Sequence, residues 1–581
     1  MPSQTNHHTN GAVVNDGGNH PNIVRSKQPL PDYPNVSLSE YISGRISKHP
    51  KAALAFMDPN NNYQLTYGQL HLKVHQLAIG LLKLNLQSTD FLMFYADNSL
   101  EYCILVLASV YLGLPFCPIP PASGAFEVTE QIKDANGSVL IFGANKMATI
   151  EKALQEKQYN ETIAHYISTI IEMDVDEGEK VHSLLKQHPV TKSKAVCSFA
   201  ELESLGSGKQ LSTVPHFPIS DPSTSTYLVC STSGSTGKPK MAVHTHRSML
   251  VTLVNSKIGL NEFGYRVALF HPIGHISGSL MCPHALDMGM TIVLFREGDI
   301  DQIMETVPRL RINCIFFSPN MASSLVLNEY EKRYDLSSLV CLKTGGSRIA
   351  DNLLRSIKEK YGAIFEMYGA TEMMCAVRTR NPEETEVDYV PGNCGTTVPG
   401  VEMKIVDLST GEPLPAYQTG EVCFRGGGCF SGYLNNEEAT RSTIDSDGFY
   451  HSGDLGHFDA QGRLFITDRI KEMIKYKLYT LFPAEIEDFL HRHKAVSAVC
   501  IVGIHHASEG YYIRAYVELV KGETVTEEEL IQYVAENMGT QKRLRAGVCF
   551  IDAMPRTLIG KIDRQYFKKL VANELITEIV P

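Results

Sequence analysis

A run of hydroxyl residues, glycines and lysines carries the strongest chemical signal in the sequence. It reads Ser-Thr-Ser-Gly-Ser-Thr-Gly-Lys-Pro-Lys over residues 231–240 and directly follows an apolar run at 227–230. Glycines allow close backbone approach, hydroxyls donate hydrogen bonds and Lys240 supplies positive charge, so the run suits a polyphosphate. It is not a Walker A loop, because only two residues separate its glycines and a proline follows Lys238. The alternative interpretation is a flexible Ser/Gly linker, although a linker would rarely follow a strand directly.

Carboxylates and cations recur in four further short motifs. In chain order these are Tyr368-Gly369-Ala370-Thr371-Glu372, His451-Ser452-Gly453-Asp454, Asp468-Arg469-Ile470-Lys471 and Gly560-Lys561-Ile562-Asp563-Arg564. A histidine, His275, stands in the glycine-containing run at 272–278. Taken alone, such a histidine is more often a satisfied core residue than a functional one. No convincing Ser-His-Asp signature accompanies these motifs.

The elements that must hold these motifs alternate between two patterns. Short apolar runs at 91–95, 139–142, 227–230, 291–295 and 314–317 predict strands, and residues 100–112 predict a helix. Alternation of strands and helices over about 37–465 predicts an α/β architecture with largely parallel sheets. Ser37-x-x-Glu40 predicts a capping box at the first helix. From Glu421, glycine-rich turns at 426–428, 447–448 and 461–462 predict hairpins, and the last segment of roughly 110 residues predicts a small α+β domain.

Composition excludes several functional classes. The 581 residues carry 53 Lys and Arg against 64 Asp and Glu, a net charge of −11, which argues against a general nucleic-acid or anionic-membrane binder. The 13 cysteines form no CxxC pair, so we expect free, mostly buried thiols. We expect no membrane span, because breakers interrupt the most apolar stretches. Without an apolar signal sequence or a C-terminal peroxisomal signal, the predicted location is cytoplasmic.

Together, the five motifs resemble the adenylate-forming, AMP-binding superfamily, which includes acyl-CoA synthetases, coumarate–CoA ligases and beetle luciferases. The resemblance extends over about residues 37–572. It implies a large N-terminal part, made of two αβ subdomains and a small β-barrel, with a mobile α+β C-terminal lid. The expected division is a disordered tail at 1–34, an adenylation domain at 35–468 and a lid at 469–581 with its hinge near Lys471.

The same resemblance implies a two-step reaction. A small-molecule carboxylic acid, fatty or aromatic, attacks the α-phosphorus of ATP, releases pyrophosphate and becomes an acyl-adenylate. The thiol of coenzyme A then displaces AMP and forms the thioester. ATP, Mg²⁺ and coenzyme A are the implied cofactors, and no protein partner is identifiable. Two alternatives stay open: a luciferase-like oxygenase that uses the acyl-adenylate, and an adenylate-binding protein with impaired transfer to coenzyme A.

The resemblance also implies a role for each motif residue. The pyrophosphate end of ATP would be held by Thr232, Ser233, Gly234, Ser235, Thr236, Gly237 and Lys240. The adenine and acyl sites would be formed by Gly345, Gly346, Ser347, Tyr368 and Gly369, with Tyr368 stacked on adenine. Thr371 would contact phosphate, Glu372 would hold Mg²⁺, and Asp454 and Arg469 would contact the ribose. Lys561 would bridge the attacking carboxylate and the α-phosphate, and His275 would border the acyl pocket. The implied catalytic set is therefore Lys561, His275, Lys240 and Thr371.

One departure from the family pattern bears on the second step. Lys475-Tyr476-Lys477-Leu478 stands where the family generally has Lys-Tyr-Lys-Gly. The resemblance places Lys475 and Lys477 beside the coenzyme A arm, and glycine would let that arm pass closely. Leu478 adds a bulky side chain and restricts the backbone. Either the thioester step is impaired, or the loop shifts and accommodates leucine.

Overall fold

The computed structural model describes most of the chain. The described residues are 22–60, 63–173, 178–207, 217–232, 240–257, 263–346, 349–362, 364–379, 390, 392–476, 479–507, 509–557, 560–576 and 578. Several residues of the predicted sites lie outside these ranges, namely Ser233, Gly234, Ser235, Thr236, Gly237, Ser347, Lys477 and Leu478. No helix within the described ranges is long and apolar enough to cross a membrane.

Strands and helices alternate through most of the described chain. The strands are β1 (Ile23–Arg25), β2 (Leu54–Met57), β3 (Gln64–Thr66), β4 (Leu92–Tyr95), β5 (Phe116–Pro118), β6 (Val139–Phe142), β7 (Thr169–Glu172), β8 (Ala195–Ser198), β9 (Thr226–Ser231), β10 (Met241–Thr245), β11 (Arg266–Leu269), β12 (Thr291–Leu294), β13 (Cys314–Phe317), β14 (Cys341–Gly345), β15 (Ile364–Ala370), β16 (Met373–Arg378), β17 (Asn393–Thr397), β18 (Val401–Val406), β19 (Gly420–Gly426), β20 (Gly432–Tyr433), β21 (Tyr450–Phe458), β22 (Leu464–Arg469), β23 (Ile474–Tyr476), β24 (Tyr479–Leu481), β25 (Val496–His506), β26 (Gly510–Leu519), β27 (Val548–Ile551) and β28 (Leu575–Ile576). The α-helices are α1 (Leu38–Lys48), α2 (Tyr67–Leu82), α3 (Leu100–Leu112), α4 (Ala125–Ala135), α5 (Met147–Gln155), α6 (Lys157–Tyr166), α7 (Gly178–Gln187), α8 (Phe199–Gly206), α9 (His246–Asn255), α10 (Ile276–Asp287), α11 (Ile300–Leu310), α12 (Ala322–Leu327), α13 (Tyr330–Arg333), α14 (Asp351–Tyr361), α15 (Glu437–Thr443), α16 (Pro483–Leu490), α17 (Glu527–Asn537) and α18 (Arg564–Leu570).

Two sheets with long parallel sections form the large N-terminal part. One runs β20-β10-β9-β5-β4-β6-β7-β8, and its strands β5, β4, β6, β7 and β8 are parallel. The other contains the parallel set β2, β12, β11, β13, β14 and β15. Their apolar runs are buried between layers of helices, as parallel sheets require. The predicted α/β architecture is confirmed, and helix α3 and strands β6 and β13 have the predicted bounds.

The second sheet continues into an antiparallel section at the place of the predicted small barrel. Strand β17 links β16 to β22, after which β21, β19, β18 and β1 complete a 14-stranded path within the described residues. Of the three predicted hairpin turns, the one at 461–462 joins paired strands, β21 and β22. The glycines at 426–428 instead carry the chain from β19 to β20 in the other sheet. At 447–448 the chain closes a tight turn through an isolated bridge between Ile444 and Tyr450.

Part of the predicted disordered tail is ordered in the structure. Ile23–Arg25 form β1 and pair antiparallel with β18, so their backbone groups complete the edge of the sheet. Residues 1–21 lie outside the described ranges. Ser37 and Glu40 form the predicted reciprocal capping box at the start of α1.

The C-terminal segment folds around its own sheet and packs on the larger part. Strands β25 and β26 form a long antiparallel pair, to which β23, β27 and β28 add. The amide of Ala484 donates to Asp468 at 3.0 Å, and the Asn352 side-chain amide donates to the His491 carbonyl at 3.1 Å. This orientation turns the loop that carries Lys561 toward the large N-terminal part.

Candidate functional site

A cavity of about 1010 Å³ lies where the two parts of the chain meet. One wall is formed at the carboxyl ends of two parallel strands: Gly345 is the last residue of β14, and Ala370 is the last residue of β15. Open α/β sheets bind ligands at this edge because the loops after the strands converge there. The opposite wall comes from the C-terminal domain and includes Arg556 and Lys561. The site is therefore complete only when both parts contribute.

The predicted phosphate loop connects the two strands of a β-hairpin. β9 and β10 pair antiparallel with Ser231 opposite Met241, and the amide of Thr232 donates to the Lys240 carbonyl at 2.7 Å. Thr232 and Lys240 both line the cavity. The ammonium of Lys240 lies 4.8 Å from the centre of the Tyr433 ring. Because the hairpin fixes both ends, the cation and the hydroxyl that bracket the loop face one ligand space.

Glu372 places a buried carboxylate on the cavity wall. Its side chain accepts hydrogen bonds from the hydroxyls of Tyr433 at 2.6 Å and Tyr450 at 3.3 Å. Within the described ranges, no Lys or Arg forms an ion pair with it. Both hydroxyl donors are neutral, and a carboxylate oxygen of this kind suits a hard divalent cation. The donor set therefore fits Mg²⁺ bound jointly by Glu372 and nucleotide phosphate oxygens.

Three glycines bring backbone close to the cavity. A side chain at Gly345 would lie 2.5 Å from the Met367 carbonyl oxygen, and one at Gly369 would lie 2.2 Å from the Met374 carbonyl oxygen. Gly346 has φ of +89°, a conformation that disfavours other residues. Each position borders the cavity. The tight strand ends at Gly345 and Gly369 thus require glycine, as does the positive φ of Gly346.

Asp454 is held by two partners and follows Gly453, which lines the cavity, but Asp454 itself is not among the lining residues. The Tyr368 hydroxyl donates to one carboxylate oxygen at 2.5 Å, and Arg469 Nε lies 3.0 Å from the other. The Tyr368 ring packs against Phe424, with centroids 5.6 Å apart, and is not among the side chains that line the cavity. The structure thus gives Tyr368 a contact that the sequence did not predict. Its stacking on adenine stays a prediction.

Lys561 reaches the cavity from the loop before α18. Burial lowers the pKa of its ammonium to about 8, with a further lowering by Arg469 and an opposing effect of Asp454. Lys471 lines the same space, and burial and the charge of Lys240 lower its pKa too. Cations gathered in one site repel one another, and an anionic ligand would relieve this repulsion. Of the six cations expected to form one site, Lys240, Arg469, Lys471 and Lys561 line the cavity together, Lys475 does not, and Lys477 lies outside the described residues.

His275 caps the amino terminus of α10 and borders the cavity. Its Nδ1 accepts from the amide of Ser277 at 3.3 Å and lies 2.8 Å from the Ser277 hydroxyl. An accepting Nδ1 leaves the proton on Nε2 in the neutral ring. Burial, together with the charge of Lys561, lowers the pKa of His275 to about 4. The imidazole is thus neutral at physiological pH and offers a hydrogen-bond donor.

The structure does not bring every predicted residue into the cavity. Lys475 is exposed on β23, away from the cavity lining. The prediction that Lys475 borders the coenzyme A arm has no counterpart in this orientation of the C-terminal domain. Gly453 lines the cavity, and Thr371 does so while its carbonyl accepts from His244 Nε2 at 2.7 Å.

Sequence reasoning missed residues that act through hydrogen bonds rather than motifs. The Tyr433 hydroxyl donates to Glu372 and the Tyr433 ring contacts the Lys240 ammonium. In the sequence, Tyr433 belongs to a Gly-Tyr pair that matches no motif. Asn98 donates to the His271 carbonyl at 3.0 Å and accepts from the Ile273 amide at 2.8 Å, so it fixes the loop that presents His275. Asn98 precedes the N-cap of α3 by one residue, and a polar residue between a strand and a capped helix was the available signal.

Comparison with known proteins identifies the family. The sequence profile of the AMP-binding enzyme family matches residues 44–434, and that of the AMP-binding enzyme C-terminal domain matches residues 485–561. The chain is 30% identical over 571 residues to 4-coumarate-CoA ligase 1 of Narcissus pseudonarcissus, covering 95% of this chain and 97% of that protein. It is also 30% identical over 574 residues to 4-coumarate–CoA ligase CCL1 of Humulus lupulus, covering 96% and 97%.

Solved structures share the architecture. ATP-bound MatB from Rhodopseudomonas palustris superimposes with a TM-score of 0.78 at 21% identity, covering 93% of this chain and 99% of that one. The anthranilate CoA ligase AuaEII in complex with anthranoyl-AMP gives a TM-score of 0.78 at 21% identity, covering 93% and 98%. The chain belongs to the AMP-binding enzyme family. Within that family it is an AMP-forming acid–thiol ligase, as its motifs predicted.

Proposed function

We propose that this enzyme activates an elongated, largely apolar monocarboxylic acid as its acyl-adenylate and transfers the acyl group to coenzyme A. A phenylpropenoic acid such as 4-coumarate is the first candidate, because the relatives at 30% identity are 4-coumarate–CoA ligases. The observation that carries the proposal is the entry of Lys561 into a cavity that also holds Lys240, Arg469 and His275.

The depth of the cavity supports an elongated acid. Along β11, the cavity is lined by Val267 within the strand and by His271, which lies just beyond its carboxyl end. Four residues of strand correspond to roughly 13 Å at about 3.3 Å per residue. Apolar or weakly polar side chains dominate this wall, among them Val267, Leu280, Met281, Met290, Cys314 and Met374. We call this apolar part of the cavity the acyl tunnel. Because methionines adapt to ligands of different shape, the acyl tunnel would also admit a fatty acyl chain of medium length.

In the first half-reaction the protein positions two anions that repel each other. Lys240 would neutralise the outer phosphates, and Glu372 would hold Mg²⁺, which supplies further neutralisation when bound. Lys561 would lie between the attacking carboxylate and the α-phosphate, while the neutral His275 would donate to a carboxylate oxygen without adding charge. Preorganised donors in a water-poor site stabilise charge that develops in the transition state. No protein nucleophile is required.

The second half-reaction would use another orientation of the C-terminal domain. In the orientation described here Lys561 lines the cavity, while Lys475 is exposed and is not among the lining residues. Rotation near Lys471 would withdraw Lys561 and bring residues around Lys475 toward the adenylate. At this hinge, the Lys568 ammonium donates a hydrogen bond to the Lys471 carbonyl at 3.3 Å. This exposed contact is weak enough to break during such a rotation.

A panel of acids tests the proposal. Pyrophosphate release from ATP would be measured with acetate, benzoate, 4-coumarate and dodecanoate, each with and without coenzyme A. We expect release with 4-coumarate or dodecanoate to exceed that with acetate by at least roughly tenfold, since extra buried apolar surface raises transition-state binding.

The variant Cys314→Phe examines the acyl tunnel itself. A phenyl ring at Cys314 would fill its deep end, so the rate with the long acid should fall while the rate with acetate, the internal control for folding, should not. Preference for acetate in the wild-type enzyme, or an equal fall for both acids in the variant, would contradict the proposal.

A further inference from the structure

The strand that carries Asp454 contains an irregularity beside the nucleotide site. Between β19 and β21, Cys423 faces His451 and Glu421 faces Leu455. One residue of β19 therefore lies opposite three residues of β21, residues 452–454. Such a bulge redirects side chains and needs partners for its displaced backbone groups. Gly453, at its centre, has φ of +71°.

Glu421 supplies one of those partners and also binds the side chain of the flanking residue His451. One oxygen accepts from the Gly453 amide at 3.0 Å, and the other accepts from His451 Nδ1 at 2.8 Å. The Ser452 hydroxyl donates to the Val422 carbonyl at 2.7 Å and accepts from the Asp454 amide at 3.1 Å. Glu421 and Ser452 thus hold the bulge from both sides and fix the backbone from which Asp454 projects.

The charges around His451 reinforce this arrangement. The hydrogen bond to Glu421 is the largest cause that raises the pKa of His451, and Asp445 raises it further. Asp445 lies 3.5 Å from His451 Nε2 and pairs with Lys404 at 2.6 Å. Negative and positive groups therefore alternate from Lys404 through Asp445 and His451 to Glu421. Charge-assisted hydrogen bonds of this kind are shorter and stronger than neutral ones.

We propose that Glu421 is a positioning residue for the nucleotide: by binding Gly453 and His451 it holds the bulge that aims Asp454 at the ribose. The inference rests on the proposed ribose contact of Asp454 and is independent of which acid the enzyme uses. Glu421 also lines the cavity, so the double variant described below separates a direct contact with the nucleotide from this positioning role. The effect of Glu421 reaches the ligand through the backbone of residues 452–454, so losing it should weaken nucleotide binding while leaving the acid site intact.

Calorimetric titration of the whole enzyme with AMP tests the inference without any acid. In Glu421→Gln the amide keeps the length of the side chain but offers one carbonyl acceptor in place of two carboxylate oxygens. We expect the Kd for AMP to rise roughly tenfold, the usual size for a lost charged hydrogen bond. Glu402→Gln is the matched control, since Glu402 pairs with Arg25 and Arg425 in the same sheet, away from the bulge. Its Kd should stay unchanged.

A double-mutant cycle separates positioning from general destabilisation. If Glu421 acts through Asp454, then Glu421→Gln should add little to the Kd of Asp454→Ala, because coupled residues are not additive. In turnover, the KM for ATP should rise in Glu421→Gln while the KM for the acid stays constant. His451→Gln keeps the hydrogen bond between Glu421 and Gly453, so it should raise the Kd for AMP by a smaller factor. This variant is measured in its place if Glu421→Gln does not fold. An unchanged Kd, or full multiplication of the two effects in the double variant, would overturn the inference.

Discussion

Replacing Lys561 with alanine should slow acyl-adenylate formation far more than thioester formation. Lys561 lines the cavity beside Arg469, and burial lowers its pKa to about 8. One unit below that pKa, about nine-tenths of the molecules carry the ammonium. The variant therefore removes a positive charge from the point at which the acid and the α-phosphate would meet.

The magnitude follows from the surroundings of Lys561. Removing one preorganised donor to a developing charge typically costs about 10²–10³ in rate, or roughly 2.7–4 kcal/mol. Arg469 and Lys240 remain in the cavity and compensate in part, so we expect a loss of at least about 10²-fold. Lys569→Ala is the matched control because Lys569 is exposed on α18, the helix that follows the Lys561 loop. The adenylation rate of Lys569→Ala should equal that of the wild-type enzyme.

The two half-reactions are assayed separately. Acid-dependent exchange of pyrophosphate with ATP reports adenylation, and the reaction of a preformed acyl-adenylate with coenzyme A reports transfer. Exchange should fall in Lys561→Ala while transfer persists, since rotation of the C-terminal domain would remove Lys561 from the site. Equal losses in both assays would refute the assigned role. So would an equal loss of exchange in Lys569→Ala.

Two further predictions concern the pH dependence of adenylation and the leucine at residue 478. Because the pKa of Lys561 is lowered to about 8, the ammonium is present below that pH and is lost above it. Adenylation by the free enzyme should therefore decline on the alkaline side with a midpoint near pH 8, and Lys561→Arg, which stays charged, should lose that midpoint. At residue 478, leucine replaces the usual glycine, so Leu478→Gly should accelerate the coenzyme A step and leave pyrophosphate exchange unchanged. An unchanged coenzyme A rate in Leu478→Gly would rule out obstruction.

Local patterns predicted the architecture well because each depends on neighbours in the chain. The apolar period gave α3 its bounds, and the capping box at Ser37 and Glu40 was read directly from spacing. The hairpin predicted at 426–428 failed because the glycines permit a turn but do not choose a partner strand. The pairing of β1 with β18 was also unpredictable, since it joins residues almost 400 positions apart.

The sequence by itself determined which chemical groups are available to this protein: a run suited to a polyphosphate, a carboxylate suited to a hard cation and a lysine near the end of the chain. These follow from residue type and short-range spacing, which the linear chain preserves. Only the tertiary structure decided which groups meet. It placed Lys561 beside Arg469, turned Tyr368 toward Asp454 and linked Glu421 to the bulge at Gly453. These contacts arise from strand pairing and domain packing over long sequence separations, where the energy of each contact depends on all the others being formed.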